Sequence, residues 1–132
     1  MKEIPHLVQY QGSKRIIGPE IIQYFPTNIN RLIEPFAGTC AVSILSAREK
    51  KANQFVLNDI NKPIVEMMRR CIENPNLLTD EYEQIWNGQF AENQNNIDYF
   101  NRVREEFNTG EKNAARMLFL LAREINSWYP IH

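Results

Sequence analysis

Two short apolar stretches, both in the first half of the chain, are all that it offers as strands of a sheet, and they fix what it can fold into. Residues 31–36 (Arg-Leu-Ile-Glu-Pro-Phe) read as a buried strand running into a loop at Ala37-Gly38-Thr39, and residues 55–59 (Phe-Val-Leu-Asn-Asp) as a second one ending in two polar side chains. Helices are predicted around them. In residues 15–25, Ile17, Ile21, Ile22 and Phe25 recur at helical spacing around Pro19 and Glu20, and in residues 41–51 Ala41, Val42 and Leu45 point inward. A third helix opens after Asn61, with Asn61 as its cap and Pro63 in its first turn, and runs to Cys71. The order helix, strand, helix, strand, helix predicts an α/β fold with a parallel pair of strands joined by a right-handed crossover.

Beyond Asn74-Pro75 the pattern is helical only. Residues 77–86, 97–107 and 114–125 each fit an amphipathic helix, with turns expected at Asn87-Gly88, at 93–96 and at Thr109-Gly110. Residues 1–74 are therefore expected to form an α/β part and residues 75–132 a helical part of one compact domain. A total of 132 residues, 43% hydrophobic and 23% charged, suits one globular domain and excludes collagen-like, mucin-like and fully disordered chains. Two parallel strands leave a sheet edge exposed and a crevice incomplete, so further strands are expected from elsewhere.

Charge is unevenly placed. Residues 1–72 hold ten Lys/Arg against six Asp/Glu, and residues 73–132 hold five against ten. The basic half can meet phosphate or simply stay solvated; charge alone does not choose. Cys40 and Cys71 stand 31 apart without a Cys-x-x-Cys pair, which argues for buried thiols and for neither a disulfide framework nor a metal site. No apolar run approaches the roughly 20 residues of a membrane span, and the opening Met1-Lys2-Glu3-Ile4-Pro5-His6 lacks a secretory pattern, so no membrane association and a cytoplasmic location are expected.

Ligands of open α/β sheets lie beyond the carboxyl ends of the strands. There Gly38, directly after a strand and before a helix, lets backbone approach a ligand closely. Asp59 ends the second strand 21 residues later, close to the offset at which a carboxylate accepts both hydroxyls of a bound ribose. Asp59 is equally placed to cap the helix that starts near Asn61. The loop lacks a full Gly-x-Gly-x-x-Gly, which disfavours a dinucleotide. Ahead of the first helix, Gln9-Tyr10-Gln11-Gly12-Ser13-Lys14 combines an aromatic face, a glycine and a lysine. These suit an adenine or sulfonium and a carboxylate, or else mark a turn before a helix.

Taken in order, Tyr10-x-Gly12-x-Lys14, Ile33-Glu34-Pro35-Phe36-Ala37-Gly38 and Val56-Leu57-Asn58-Asp59-Ile60-Asn61 resemble the Dam-like (class alpha) DNA adenine methyltransferases. The resemblance implies the N-terminal strands of a partial Rossmann-like methyltransferase sheet, followed by a helical segment. It implies S-adenosylmethionine as cofactor, held by Tyr10, Lys14, Phe36, Gly38 and Asp59, with Ile60 beside the adenine ring. Gln9 occupies a position from which the family reaches toward the bases of double-stranded DNA, where an amide can read adenine; a plain surface glutamine is the alternative. Residues 114–121, then Ile125-Asn126-Ser127-Trp128-Tyr129, look like the family's helix leading into its Phe-Asn-Gly-Leu-Tyr-Arg loop near DNA, which implies a DNA contact for Asn126. Ser127 stands in place of the family's Gly, Pro130 in place of its Arg, and Cys40 in place of a second glycine.

Methyl transfer to an exocyclic amine needs a pocket for the flipped base. The family builds it on an Asp-Pro-Pro-Tyr strand end, and this sequence contains no Pro-Pro; its seven prolines stand singly. No catalytic residue is therefore expected here. The favoured expectation is a split methyltransferase, inactive alone and completed by a second polypeptide that brings Asp-Pro-Pro-Tyr. A truncated methyltransferase fragment and an inactive module that binds S-adenosylmethionine or DNA are the alternatives.

Overall fold

The computed structural model describes residues 5–126, and the chain divides into two compact units, Met1–Val65 and Glu66–His132. The first unit opens with α1 (Gly18–Ile21), continued by a 3-10 turn over Ile22–Tyr24. The predicted helix over 15–25 is thus much shorter. It starts late, at Gly18 with Pro19 in its first turn, and Phe25, which precedes Pro26, is extended at φ −75°, ψ 143° because the proline ring disfavours helix there.

Strand β1 (Ile29–Glu34) pairs in parallel with β2 (Ala52–Leu57), in a register that sets Ile29 beside Ala52, Leu32 beside Phe55 and Ile33 beside Val56. Among the described residues this two-stranded pair is the only sheet, which gives a mixed α/β fold. Both strands begin earlier than their apolar runs, at the polar segments around Asn30 and Asn53. The expectation of buried strands holds for one face only. Leu32 and Leu57 are half-buried and Glu34 buried, whereas Ile33 is 60% and Val56 44% exposed on the other face. Arg31 and Gln54 share that open face and are joined by an Nε–H to Oε1 hydrogen bond of 3.2 Å.

Between the strands lies α2 (Ala41–Arg48), which buries Ala41, Val42 and Leu45 as the sequence predicts. Val42 and Leu45 form a small core with Ile22, and Ile21, Ile44 and Phe25 pack around it. After β2, α3 (Lys62–Glu73) starts behind Asn61, whose Oδ1 accepts the Ile64 N–H at 3.5 Å. The boundary between the two units falls inside α3.

The second unit is built on α4 (Pro75–Gly88), α5 (Asn96–Thr109) and α6 (Ala114–Asn126). Side-chain caps set two of the starts: Asn95 Oδ1 accepts the Ile97 N–H at 2.8 Å, and Asn113 Oδ1 accepts the Ala115 N–H at 2.8 Å. The core is aromatic, with Phe119 1% exposed and edge-on to Tyr99 and Trp86. The turn expected at Asn87-Gly88 is instead the last part of α4. Packing wins there over local preference: Tyr99 lies against this end of the helix and donates its hydroxyl to the Ile85 carbonyl at 2.6 Å. Among the described residues no helix is long and apolar enough to cross a membrane, and no group of His, Cys, Asp and Glu is arranged to hold a metal ion.

Candidate functional site

The carboxyl ends of β1 and β2 stay tied beyond the sheet. Asn58 N–H donates to the Glu34 carbonyl at 3.0 Å, and Ala37 N–H donates to the Asn58 carbonyl at 2.9 Å. This zipper carries the loop after β1 across to the end of β2. Gly38, at φ +51°, then turns its N–H to Asp59, whose Oδ2 accepts it at 2.8 Å. The other oxygen, Oδ1, accepts the Asn61 N–H at 2.9 Å. Both readings of Asp59 meet here, because the carboxylate that organises the start of α3 also fastens the glycine loop. Its backbone donors at Asn61 and Gly38 hold its pKa below the ordinary carboxylate value. A carboxylate has about four lone-pair sites, and two such bonds leave capacity for further donors.

The segment ahead of α1 folds over this loop. The Tyr10 ring lies on Gly38, so that a Cβ there would stand 3.6 Å from Cε1 of the ring. Tyr10 is half-buried and takes a long hydrogen bond of 3.5 Å from Asn61 Nδ2 to its hydroxyl. Lys14 donates its Nζ to the Phe36 carbonyl at 2.6 Å, and the Ser13 and Thr39 hydroxyls meet at 3.4 Å. Tyr10, Lys14, Phe36, Gly38 and Asp59 are thereby brought together from three stretches of sequence. Phe36 and Ile60 leave their side chains 77% and 96% exposed. Gln9 is exposed beside Tyr10. Asn126 closes α6 with its side chain outside the described residues, as are Ser127 to Pro130.

Sequence reasoning missed the support beneath the loop. Glu34 is buried at the end of β1, where its Oε2 accepts both the N–H (3.1 Å) and the hydroxyl (2.6 Å) of Ser43 in the first turn of α2. A carboxylate at a helix N-terminus complements the helix dipole. Its other oxygen, Oε1, is buried without a hydrogen-bond partner among the described residues. The available signal was an acidic residue nine positions before a serine, across a strand-to-helix turn. Cys40 sits between, buried and left-handed at φ +57°. Burial, with Glu34 and Asp59 nearby, pushes its thiol up to about 11, so it stays protonated. Cys71, expected to be buried, is only half so.

These groups suit an adenosine-bearing ligand. Phe36 and Ile60 offer apolar surface to a base, Asp59 offers spare acceptor capacity to a ribose, and Tyr10 over Gly38 offers an aromatic face. Lys14 fits with a reservation built into the geometry: one of its three N–H groups is already spent on Phe36, which leaves two for a carboxylate.

Over 121 residues the chain is 30% identical to the DNA adenine methylase of Haemophilus influenzae, an alignment that takes in 92% of this chain and 40% of that protein. The DNA adenine methylase of Serratia marcescens is also 30% identical over 121 residues, with 42% of its length covered. The modification methylase StsI of Streptococcus sanguinis is 31% identical over 110 residues, 82% of this chain and 16% of that protein. The chain thus spans well under half the length of these relatives. The family model of the D12 class N6 adenine-specific DNA methyltransferases matches residues 10–129, from the tyrosine laid over Gly38 to beyond the end of α6. A match running through both units places the chain in that family, the D12 class of N6 adenine-specific DNA methyltransferases.

Proposed function

We propose that this chain forms the S-adenosylmethionine-binding part of a DNA methyltransferase acting on the exocyclic amine of adenine. The observation that carries the reading is the closure of the Gly38 loop onto Asp59, 2.8 Å from N–H to carboxylate, beneath the Tyr10 ring. In this reading Asp59 accepts the ribose hydroxyls, Phe36 and Ile60 flank the adenine, and Tyr10 and Lys14 receive the amino-acid tail. The cofactor, when bound, supplies the methyl group. Gln9 and Asn126 are assigned to the DNA side.

The sequence carries no Pro-Pro, so the Asp-Pro-Pro-Tyr pocket for the target base has to come from other polypeptide. We assign it to a partner chain, with the isolated chain inactive. Coverage of 40% of the Haemophilus influenzae methylase supports a second arrangement, in which the same missing portion is continuous with this stretch.

Calorimetric titration with S-adenosylmethionine, run on the chain and on a folded Asp59→Ala variant, tests the cofactor assignment; binding that is lost in the variant is expected. Methyl incorporation into duplex adenine is then measured with and without a polypeptide bearing Asp-Pro-Pro-Tyr, and is expected only in the mixture. Equal binding by both forms would overturn the role of Asp59, and methylation by the chain alone would overturn its dependence on other polypeptide.

A further inference from the structure

The opposite ends of the strands carry a separate cavity of about 370 Å3. The parallel register that sets Ile29 beside Ala52 brings the segment entering β1 next to the turn between α2 and β2. Into this space the first contributes Thr27, Asn28 and Asn30, and the second Lys50 and Lys51, with Asn53 from β2. The lining residues, which also include Ile29, therefore carry two ammonium groups, three primary amides and a hydroxyl, without a carboxylate or an aromatic ring. Neither lysine is in an ion pair among the described residues.

Lys50 also occupies a place where a lysine is costly. Helix α2 ends in a paired cap, in which the Lys51 N–H donates to the Ser46 carbonyl at 2.8 Å and the Lys50 N–H to the Ala47 carbonyl at 3.1 Å. This pattern puts its penultimate residue in the left-handed region, and Lys50 is there at φ +53°. Glycine is the usual occupant because it has no Cβ to strain. The backbone would be better served by glycine, and what lysine adds is its ammonium at the cavity.

We propose that this cavity binds a phosphate group. Two adjacent positive charges with several neutral donors match a dianion of three or four oxygens, whereas a carboxylate would leave most of the donors unused. With no ring to stack on a base, recognition falls on the phosphate and carries no sequence preference. Four residues of β1 beyond Asn30 separate this cavity from the Gly38 loop, about 13 Å at the rise of a strand, so the two sites fill independently. The same chemistry is offered by a nucleic-acid backbone and by a small free phosphate compound.

The test is a titration of the full chain with inorganic phosphate at constant ionic strength, followed through the side-chain amide resonances of Asn28, Asn30 and Asn53. Saturable shifts are expected, weakened about tenfold or more in a Lys50→Gly, Lys51→Gln double variant. Lys50→Gly alone serves as the fold control, and its melting temperature is expected to equal or exceed that of the parent. Shifts that do not saturate, or that are unchanged in the double variant, would overturn the proposal. A duplex oligonucleotide then identifies the source once phosphate binding is lost in the double variant. Duplex affinity that drops with it, with a shallower salt dependence, assigns the site to a nucleic-acid backbone. Unchanged duplex affinity assigns it to a free phosphate compound, and either result upholds the site.

Discussion

Replacing Gly38 by alanine separates the conformational role of this position from its role at the site, because Gly12 provides a matched control. Both glycines are left-handed, at φ +51° and +80°. A Cβ in that region costs about 1–2 kcal/mol, offset by about 0.4–1 kcal/mol because alanine also restricts the unfolded chain. The net loss is about 1 kcal/mol at either position, or about 2–5 °C in melting temperature for a chain of this size. Neither methyl meets a steric barrier: at Gly38 it would stand 3.6 Å from the Tyr10 ring, an ordinary contact, and at Gly12 it has nothing within 4 Å. The two variants should therefore be equally destabilised in thermal unfolding. They should part in a titration with S-adenosylmethionine, where the Gly38 methyl occupies the gap under Tyr10 that backbone approach requires. Gly38→Ala is expected to lose about tenfold or more, a charge-assisted hydrogen bond's worth, and Gly12→Ala less than about twofold. Equal losses of affinity in the two variants would refute the reasoning, since strain in the loops would then explain the effect without close approach.

The remaining expectations concern Asp59 and the helical core. Because the folded pKa of Asp59 is depressed by its backbone donors, its contribution to stability is fully present above the ordinary carboxylate pKa and is lost as pH falls through the lower folded value. Melting temperatures measured between about pH 5 and about pH 2 should therefore fall more steeply for the parent than for Asp59→Asn; parallel curves would show that the carboxylate does not hold the loop. Phe119→Ala empties the centre of the aromatic core between Tyr99 and Trp86, and should cost about 3–5 kcal/mol in denaturant unfolding. Tyr99→Phe removes only the hydroxyl bonded to the Ile85 carbonyl and should cost about 1 kcal/mol, so a loss equal to that of Phe119→Ala would contradict this account of the packing.

The residues legible from sequence were those whose chemistry is local. Gly38 follows a strand and precedes a helix, and Asp59 follows a strand at a telling offset, so both stood out before any contact was known. The extents of β1 and β2 were less legible, because Asn30, Asn53 and Gln54 are polar and exposed and gave no apolar signal. The turn misplaced at Asn87-Gly88 failed for the opposite reason, since a long-range contact from Tyr99 decided what a local preference did not. The least legible feature was the bond from Glu34 to Ser43. It spans a strand, a loop and a helix start, and only the closed turn shows that a buried carboxylate supports the loop.

The open face of the sheet bears on what completes this chain. Parallel strands are ordinarily covered on both faces, because their side chains are apolar on both and their edges carry unpaired N–H and C=O groups. Here Ile33 and Val56, neighbours in the register, remain 60% and 44% exposed, and each strand has one free edge among the described residues. Nucleic acid cannot satisfy that surface: phosphates gain nothing from isoleucine and valine, and a duplex does not continue a β-ladder. Polypeptide can, by adding a strand to an edge and packing side chains over the face. The relatives, more than twice as long as this chain, contain polypeptide in the amount required. The physical demand of the sheet and the chemical demand for a base pocket thus call for the same thing, which is why the proposal looks to further protein rather than to DNA for completion of the site.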